Sequence, residues 1–392
     1  MRTHYLALML CAGTLLASAA LADTGSPFYG DPPDENHPWA VHDRNRPQPP
    51  LVAPGTPSTQ QQPGKPPSDA IILFDGTAAS LDKWEADKPG HEPTKWIVKD
   101  GAFQCVPGSG YVRTKEQFGD CQLHIEWAAP GKPEGESQGR GNSGVFLEGL
   151  MEIQVLDNYN NPTYADGFAA SVYGINPPMA NALRPPGEYQ VYDITFRRPV
   201  YKDGKVLDPG HVTVFLNGVC VQECTALEGP GGHMRRSHAG PFPAAGPLKL
   251  QDHGNPVRYR NIWYRPLPPR SVEGGTDGAL SPEATIAKRK QIAATVRDDA
   301  ARLQGTNQLL RYAESLVYEK DPATMQKVET MAADYVTNVK QLTGEKLSAK
   351  KDEVRRIAGA FGYLTRWKIL PADFAPKAEL DKLIKQQGWD KR

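Results

Sequence analysis

Between Ala70 and Leu267 apolar and polar residues alternate with a period near two, in short runs broken by Gly, Pro, Asn and Asp. Gln122-Leu-His-Ile-Glu-Trp127, Met151-Glu-Ile-Gln-Val-Leu156, Gln190-Val-Tyr-Asp-Ile-Thr-Phe196 and Val212-Thr-Val-Phe-Leu216 each give a strand one apolar face. No amphipathic helix interrupts them, so the pattern predicts an all-β sandwich built of many short strands. Asn217-Gly218 separates two such runs and predicts a hairpin, because both residues accept positive φ.

The texture changes on either side. Beyond the Pro/Gly-rich hinge 266–278, apolar residues recur at helical spacing over Ala284–Leu303, Thr306–Tyr318, Ala323–Leu342 and Ser348–Trp367. Ser281-Pro282-Glu283 and Asp321-Pro322 are helix-start signals, and a last segment runs from Asp373 to Gln387. A C-terminal α-helical bundle follows from this spacing. It contains no His, no Cys and no Gly-rich phosphate loop, so it reads as structural or as a docking surface for another protein. Residues 23–68 are dominated by Pro, Gln, Asn and Asp and predict a disordered, extended tether. Arg2, His4, the apolar run Leu6–Leu16 and Ala20-Leu21-Ala22 have the layout of a secretory leader. The expected division is a leader at 1–22, the tether at 23–68, the sandwich at 69–268, a linker at 269–281 and the bundle at 282–392. The expected location is the periplasm or the medium. The apolar run is shorter than the roughly 20 residues that span a bilayer, and no membrane span is expected.

Lys plus Arg number 45 and Asp plus Glu number 45, which leaves no basic field for nucleic acid and favours a neutral partner such as a sugar. Four cysteines follow the leader. Cys105 and Cys121 fall on the apolar side of neighbouring predicted strands with Phe103 and Leu123, and a disulfide between them is expected in an exported chain. Cys220 and Cys224 would sit about 13 Å apart in one strand, beyond the ~7 Å limit for bonded Cα atoms, unless a turn intervenes.

The β region carries an ordered set of short tags. They are Ile72-Leu-Phe-Asp-Gly76, Leu81 to Trp84, Trp96-Ile-Val-Lys-Asp-Gly101, Tyr111-Val-Arg-Thr114, Gly141-Asn-Ser-Gly-Val-Phe146, Glu152-Ile-Gln-Val-Leu-Asp157, Gly187-Glu188-Tyr189, Phe215-Leu-Asn-Gly218 and Leu250-Gln-Asp-His-Gly254, leading to Arg258-Tyr-Arg-Asn-Ile262. In this order they resemble the 3-keto-disaccharide hydrolase domain family. The resemblance fills the β region and covers neither the tether nor the helices. It implies a jelly-roll sandwich of the concanavalin A-like lectin and glucanase type, and action on glycosides oxidised at C3 of the sugar.

Residue by residue, the strand 151–157 sends Ile153 and Val155 to the core and Glu152, Gln154 and Leu156 to the other face. The arrangement is similar to the catalytic strand of laminarinase-type glucanases, but Gln154 stands where those enzymes carry an acid. The carboxylate pair of direct glycosidic cleavage is therefore not evident. A 3-keto sugar does not need it. The ketone acidifies the C2 proton, one base removes it, the C1 substituent leaves, and water adds back.

Glu152 or His253 can be that base, and Arg113, Asn142 and Gln154 can donate to the developing enolate or to hydroxyls. Tyr173, with Tyr159 and Tyr164, can stack on a sugar ring, and Glu188, Gln251 and Asp252 complete the candidate substrate contacts. Each has a structural counterpart: a salt bridge for Glu152, a turn pair for Asp252 with His253, and a surface strand position for Arg113. The tryptophans Trp84, Trp96 and Trp127 read as core. His233, Arg235, Arg236 and His238 form either a substrate-touching rim or a solvated loop. The developing enolate oxygen needs a donor or a cation, and the residues name no certain cofactor. Asp157, Asn158 and Asn160 offer oxygens to a calcium ion, without a regular loop spacing. The competing functions are a non-catalytic, lectin-like carbohydrate-binding module and an assembly protein of the envelope.

Overall fold

The computed structural model describes residues 27–227, 229, 232–235, 242–273, 275 and 280–390. The leader 1–22 lies outside the described residues. The described residues form two compact units, one within 49–278 and one from those before 49 together with those from 280 onward.

In the first unit the strands are β1 (Ile71–Phe74), β2 (Trp84–Ala86), β3 (Ile97–Lys99), β4 (Ala102–Gln104) and β5 (Val112–Phe118). They continue as β6 (Cys121–Ala128), β7 (Ser143–Leu147), β8 (Met151–Val155), β9 (Gln190–Arg197) and β10 (Val200–Lys202). The last five are β11 (Lys205–Asp208), β12 (His211–Leu216), β13 (Val219–Ala226), β14 (Gly246–Leu250) and β15 (Arg258–Pro266). An eight-stranded antiparallel sheet runs β13-β12-β9-β6-β15-β4-β3, with β1 also on β15, and a five-stranded one runs β2-β5-β14-β7-β8. The inward residues of both, among them Leu123, Ile125, Tyr192, Ile194, Val145, Ile153, Val155 and Leu250, share one core. The expected alternation holds along β9, where buried and half-buried residues alternate without a break. The expected hairpin joins β12 and β13: Leu216 pairs with Val219, and Asn217 and Gly218 take φ 54° and 84°. Trp84, Trp96 and Trp127 are buried in the core.

Two expectations change. Cys105 and Cys121 are free, buried thiols. The amide of Cys105 bonds the carbonyl of Val257 and Cys121 pairs with Pro266, so the two sit nine residues apart along β15, about 30 Å at a strand's rise, far beyond the ~7 Å of a bridge. The second concerns the Pro-rich stretch, whose described part is held in place. Ser58 donates to Glu126 at 2.5 Å, Arg260 donates to the carbonyls of Thr59 and Gln60, and the Gln60 amide makes two bonds to the backbone of Tyr189. Its polar groups satisfy the buried pair Glu126–Arg260, 2.8 Å apart, which composition alone does not foresee.

The second unit holds α1 (Pro282–Ala301), α2 (Gly305–Tyr318), α3 (Pro322–Lys340), α4 (Gly344–Ser348), α5 (Lys351–Arg366) and α6 (Ala375–Gln386). Ser281 and Asp321 cap α1 and α3 by accepting from the amides of Ala284 and Thr324, with proline next to each cap. Residues 28–46 pack on these helices. Trp39 meets Tyr318 edge to face, and Arg44 and Asn45 bond the buried Glu314. No helix among the described residues is long and apolar enough to cross a membrane.

Candidate active site

The outward face of the five-stranded sheet collects the chemistry. Its register aligns Glu85 with Arg113, Arg113 with Lys249, Lys249 with Phe146 and Phe146 with Glu152. A bridge between Ile153 and Val172, and a bond from the Tyr173 amide to the Glu152 carbonyl at 3.1 Å, add Tyr173 as the next member. Six residues from six adjacent segments therefore form one row across the sheet. Two residues further along each strand, on the same face, lies a second row: Asp87, Tyr111, Gln251, Gly144, Gln154 and Ser171.

Charge is unevenly spread along the first row. At one edge Arg113 donates to Glu85 at 2.8 Å and lies 3.5 Å from Asp87, and His91 bonds the same Glu85 oxygen. Burial opposes ionisation of Glu85, but the bonds from His91 and Arg113 outweigh it and hold its pKa below the usual carboxylate value. Lys249 sits over the ring of Phe146, 4.9 Å from its centre, near Tyr111, and 3.4 Å from Asp87. At the other edge no hydrogen bond or ion pair reaches the Glu152 carboxyl among the described residues. Burial pushes its pKa up to about 8, and the positive charge of Lys249 pulls partly the other way. The carboxyl folds over the bare backbone of Gly144: a methyl group there would lie 2.2 Å from Glu152 Oε1.

Tyr173, beside Glu152, shares its hydroxyl with that of Tyr164 at 2.7 Å and with His233 Nδ1 at 3.2 Å. Burial, followed by the bond from Tyr164, raises the Tyr173 pKa above its ordinary value. These three side chains, with Asp166 and Arg235, line a cavity of about 400 Å³.

The structure thus brings Glu152, Gln154, Gln251 and Tyr173 together. Gln154 is buried and its amide donates to Gln138 at 2.9 Å, while Gln251 donates to the Tyr111 hydroxyl at 2.7 Å. Asn142 is buried against Gln138, and its carbonyl oxygen has no hydrogen-bond partner among the described residues. Arg113 stands three strands from Glu152 and is spent on Glu85. Asp252 holds a turn, accepting from the amides of Gly110 and Gly254, and His253 is exposed on that turn. Glu188 lies elsewhere, in a crevice with Ser58, Gln60 and Arg260. The Asp157 carboxylate is engaged by Arg140 at 2.9 Å and Asn158 accepts from the Ala169 amide, so those oxygens are committed. Sequence reasoning missed Lys249, Phe146, Gly144 and Asp166 and left His233 open. Lys249 had a signal in the alternation Pro247-Leu-Lys-Leu250, but its row partners depend on register. His238 and Arg236 lie outside the described residues.

The family of 3-keto-alpha-glucoside-1,2-lyase-like domains matches residues 69–265, which contain both rows. A solved structure from Parabacteroides distasonis, provisionally assigned as a glycosyl hydrolase, superposes with TM-score 0.53 at 44% identity, covering 57% of this chain and 93% of its own. A second protein of that organism, with the same provisional assignment, gives TM-score 0.38 at 20% identity over 51% of this chain and 94% of its own. A comparison with proteins of curated function finds no match. The match spans just over half of the chain and takes in every strand of the sheet that carries Glu152: the chain belongs to the 3-keto-alpha-glucoside-1,2-lyase-like domain family.

Proposed function

We propose that this carbohydrate-active chain cleaves 3-keto-glycosides by elimination and hydration, with Glu152 as the base. The observation that carries the reading is the contrast across one face: the far carboxylates Glu85 and Asp87 are paired with cations, while Glu152 is desolvated and faces bare backbone. A base acting on carbon needs that poise, because proton transfer is most effective when its pKa lies near the working pH. Lys249 supplies positive potential for the enolate oxygen that forms at C3. Gln251 and Tyr111 offer polar groups to the sugar hydroxyls. The provisional assignment of the 44% identical relative supports a glycosidase, and the lyase-like family description supports elimination.

Three further readings belong to the same proposal. The leader-like residues 1–22 support export to the periplasm or medium, the two-sheet core supports the jelly-roll assignment, and the polar outer faces of the helices support docking of a protein partner. The test is incubation of the purified chain with a 3-keto-disaccharide and with its unoxidised parent. Release of 3-keto-hexose from the oxidised sugar alone, abolished in Glu152→Gln, is the expected result. Binding of either sugar without release would instead identify a lectin-like module.

A further inference from the structure

The elimination leaves one proton unassigned, the one the departing C1 oxygen must gain. We propose that Tyr173 is the general acid that protonates this oxygen; the inference rests on the reading of Glu152 as base. Tyr173 is next to Glu152 in the row, on the same face, and residues paired this way hold their Cβ atoms about 4.5–5.5 Å apart. That spacing suits two groups acting on neighbouring atoms of one sugar, C2 and the oxygen on C1. The hydroxyl opens on the 400 Å³ cavity. It already has two polar partners, Tyr164 at 2.7 Å and His233 at 3.2 Å.

The atoms balance without an added oxidant, because the substrate arrives as a ketone. Glu152 takes the C2 proton, and the C–H electron pair becomes the C1=C2 bond as the C1–O bond breaks. The departing oxygen takes the Tyr173 proton and leaves a phenolate beside the Tyr164 hydroxyl and His233. In the return step water adds at C1 and gives a proton to the Tyr173 oxygen, while Glu152 returns its proton to C2. His233 links the pair to solvent.

The experiment compares Tyr173→Phe with the wild-type chain on two 3-keto-glucosides, one with a nitrophenol and one with an alcohol as leaving group. A nitrophenolate departs without protonation and an alkoxide does not. Followed as release of the leaving group in a single turnover, before water adds, the alcohol substrate should therefore lose ~10²–10⁴-fold in rate while the nitrophenyl substrate stays within about threefold of wild type. The ratio of the two rates within one preparation does not depend on how much of the variant is folded. Equal losses on both substrates in an otherwise active protein overturn the acid role and leave Glu152 untouched. A wild-type chain inactive on both overturns the underlying reading and this proposal with it.

Discussion

Gly144→Ala probes the active-site geometry most directly. The new methyl carbon would stand 2.2 Å from Glu152 Oε1, 3.0 Å from its Cδ and 2.8 Å from Phe146 Cε2. Restoring an ordinary contact of about 3.5 Å moves the carboxyl by roughly 1.3 Å, and a displacement near 1 Å costs on the order of 10²-fold in rate. Stability should change little. The atoms that must yield are side-chain ends, and alanine restricts the unfolded chain, a gain of about 0.4–1 kcal/mol where the backbone permits it. A second signature comes from solvation. A carboxyl pushed out of its niche is hydrated, so the pH at which turnover reaches half its maximum should fall below the value of about 8 expected for wild type. The assay is turnover of a 3-keto-disaccharide from pH 5 to 10, with thermal unfolding of the same samples. Wild-type turnover in a folded alanine variant would refute the placement of the base, as would a loss of turnover with an unshifted pH profile.

Other consequences follow from the same contacts. In wild type kcat/KM should rise with pH toward a plateau above about 8, because the base must be ionised, and Lys249→Met should move that midpoint higher by removing the charge that favours the carboxylate. Glu148 is buried with neither carboxyl oxygen hydrogen-bonded among the described residues, and burial raises its pKa from 4.5 to about 8. Its share of stability is full below about pH 4.5 and is lost as pH rises through about 8, so Glu148→Gln should raise unfolding free energy by about 1–3 kcal/mol at pH 9 and little at pH 4. Cys105 and Cys121 should resist alkylation in the native chain and react, without reductant, once it is unfolded in denaturant. A fragment 49–278 should fold alone, and removing residues 49–68 should lower its denaturation midpoint, because Glu126 and Arg260 then lose Ser58, Thr59 and Gln60.

Features set by local pattern were legible in the sequence. The strand around Glu152, the Asn217-Gly218 hairpin and the capped starts at Ser281 and Asp321 all depend on residues within a few positions of one another. Parity along a strand also placed Glu152 and Gln154 on the face away from Ile153 and Val155. What parity does not give is position along the neighbouring strand. Both cysteines were rightly sent to the core side, yet register parts them by nine residues of β15. The same gap hid Lys249 and Phe146, which reach Glu152 through strand pairings more than 90 residues apart in sequence in one case and six in the other. Arg113 was chosen for its charge, but its partner Glu85 is fixed by β2 pairing with β5. The Pro-rich stretch was judged by the apolar surface it can bury, and its order comes instead from hydrogen bonds to buried charges.

The arrangement of carboxylates bears on which bond this face can break. Hydrolysis by a carboxylate pair needs separations of about 5–9.5 Å. Glu85 lies four strands from Glu152 across the sheet, about 19 Å at ordinary strand spacing, and Asp87 is on the same distant strand. Both are also held by Arg113 or Lys249, which leaves neither carboxylate free to act as an acid or a nucleophile at the bond that Glu152 reaches. Glu152 then has to work with what adjoins it: a lysine over an aromatic ring, two amides and the hydroxyl of Tyr173. Such a set, with Asp166 lining the same cavity as Tyr173, can take a proton from carbon, steady an enolate and protonate a departing oxygen. Under the proposed reading the substrate brings a C–H bond that is already acidic, and a ketone at C3 makes the C2 proton so.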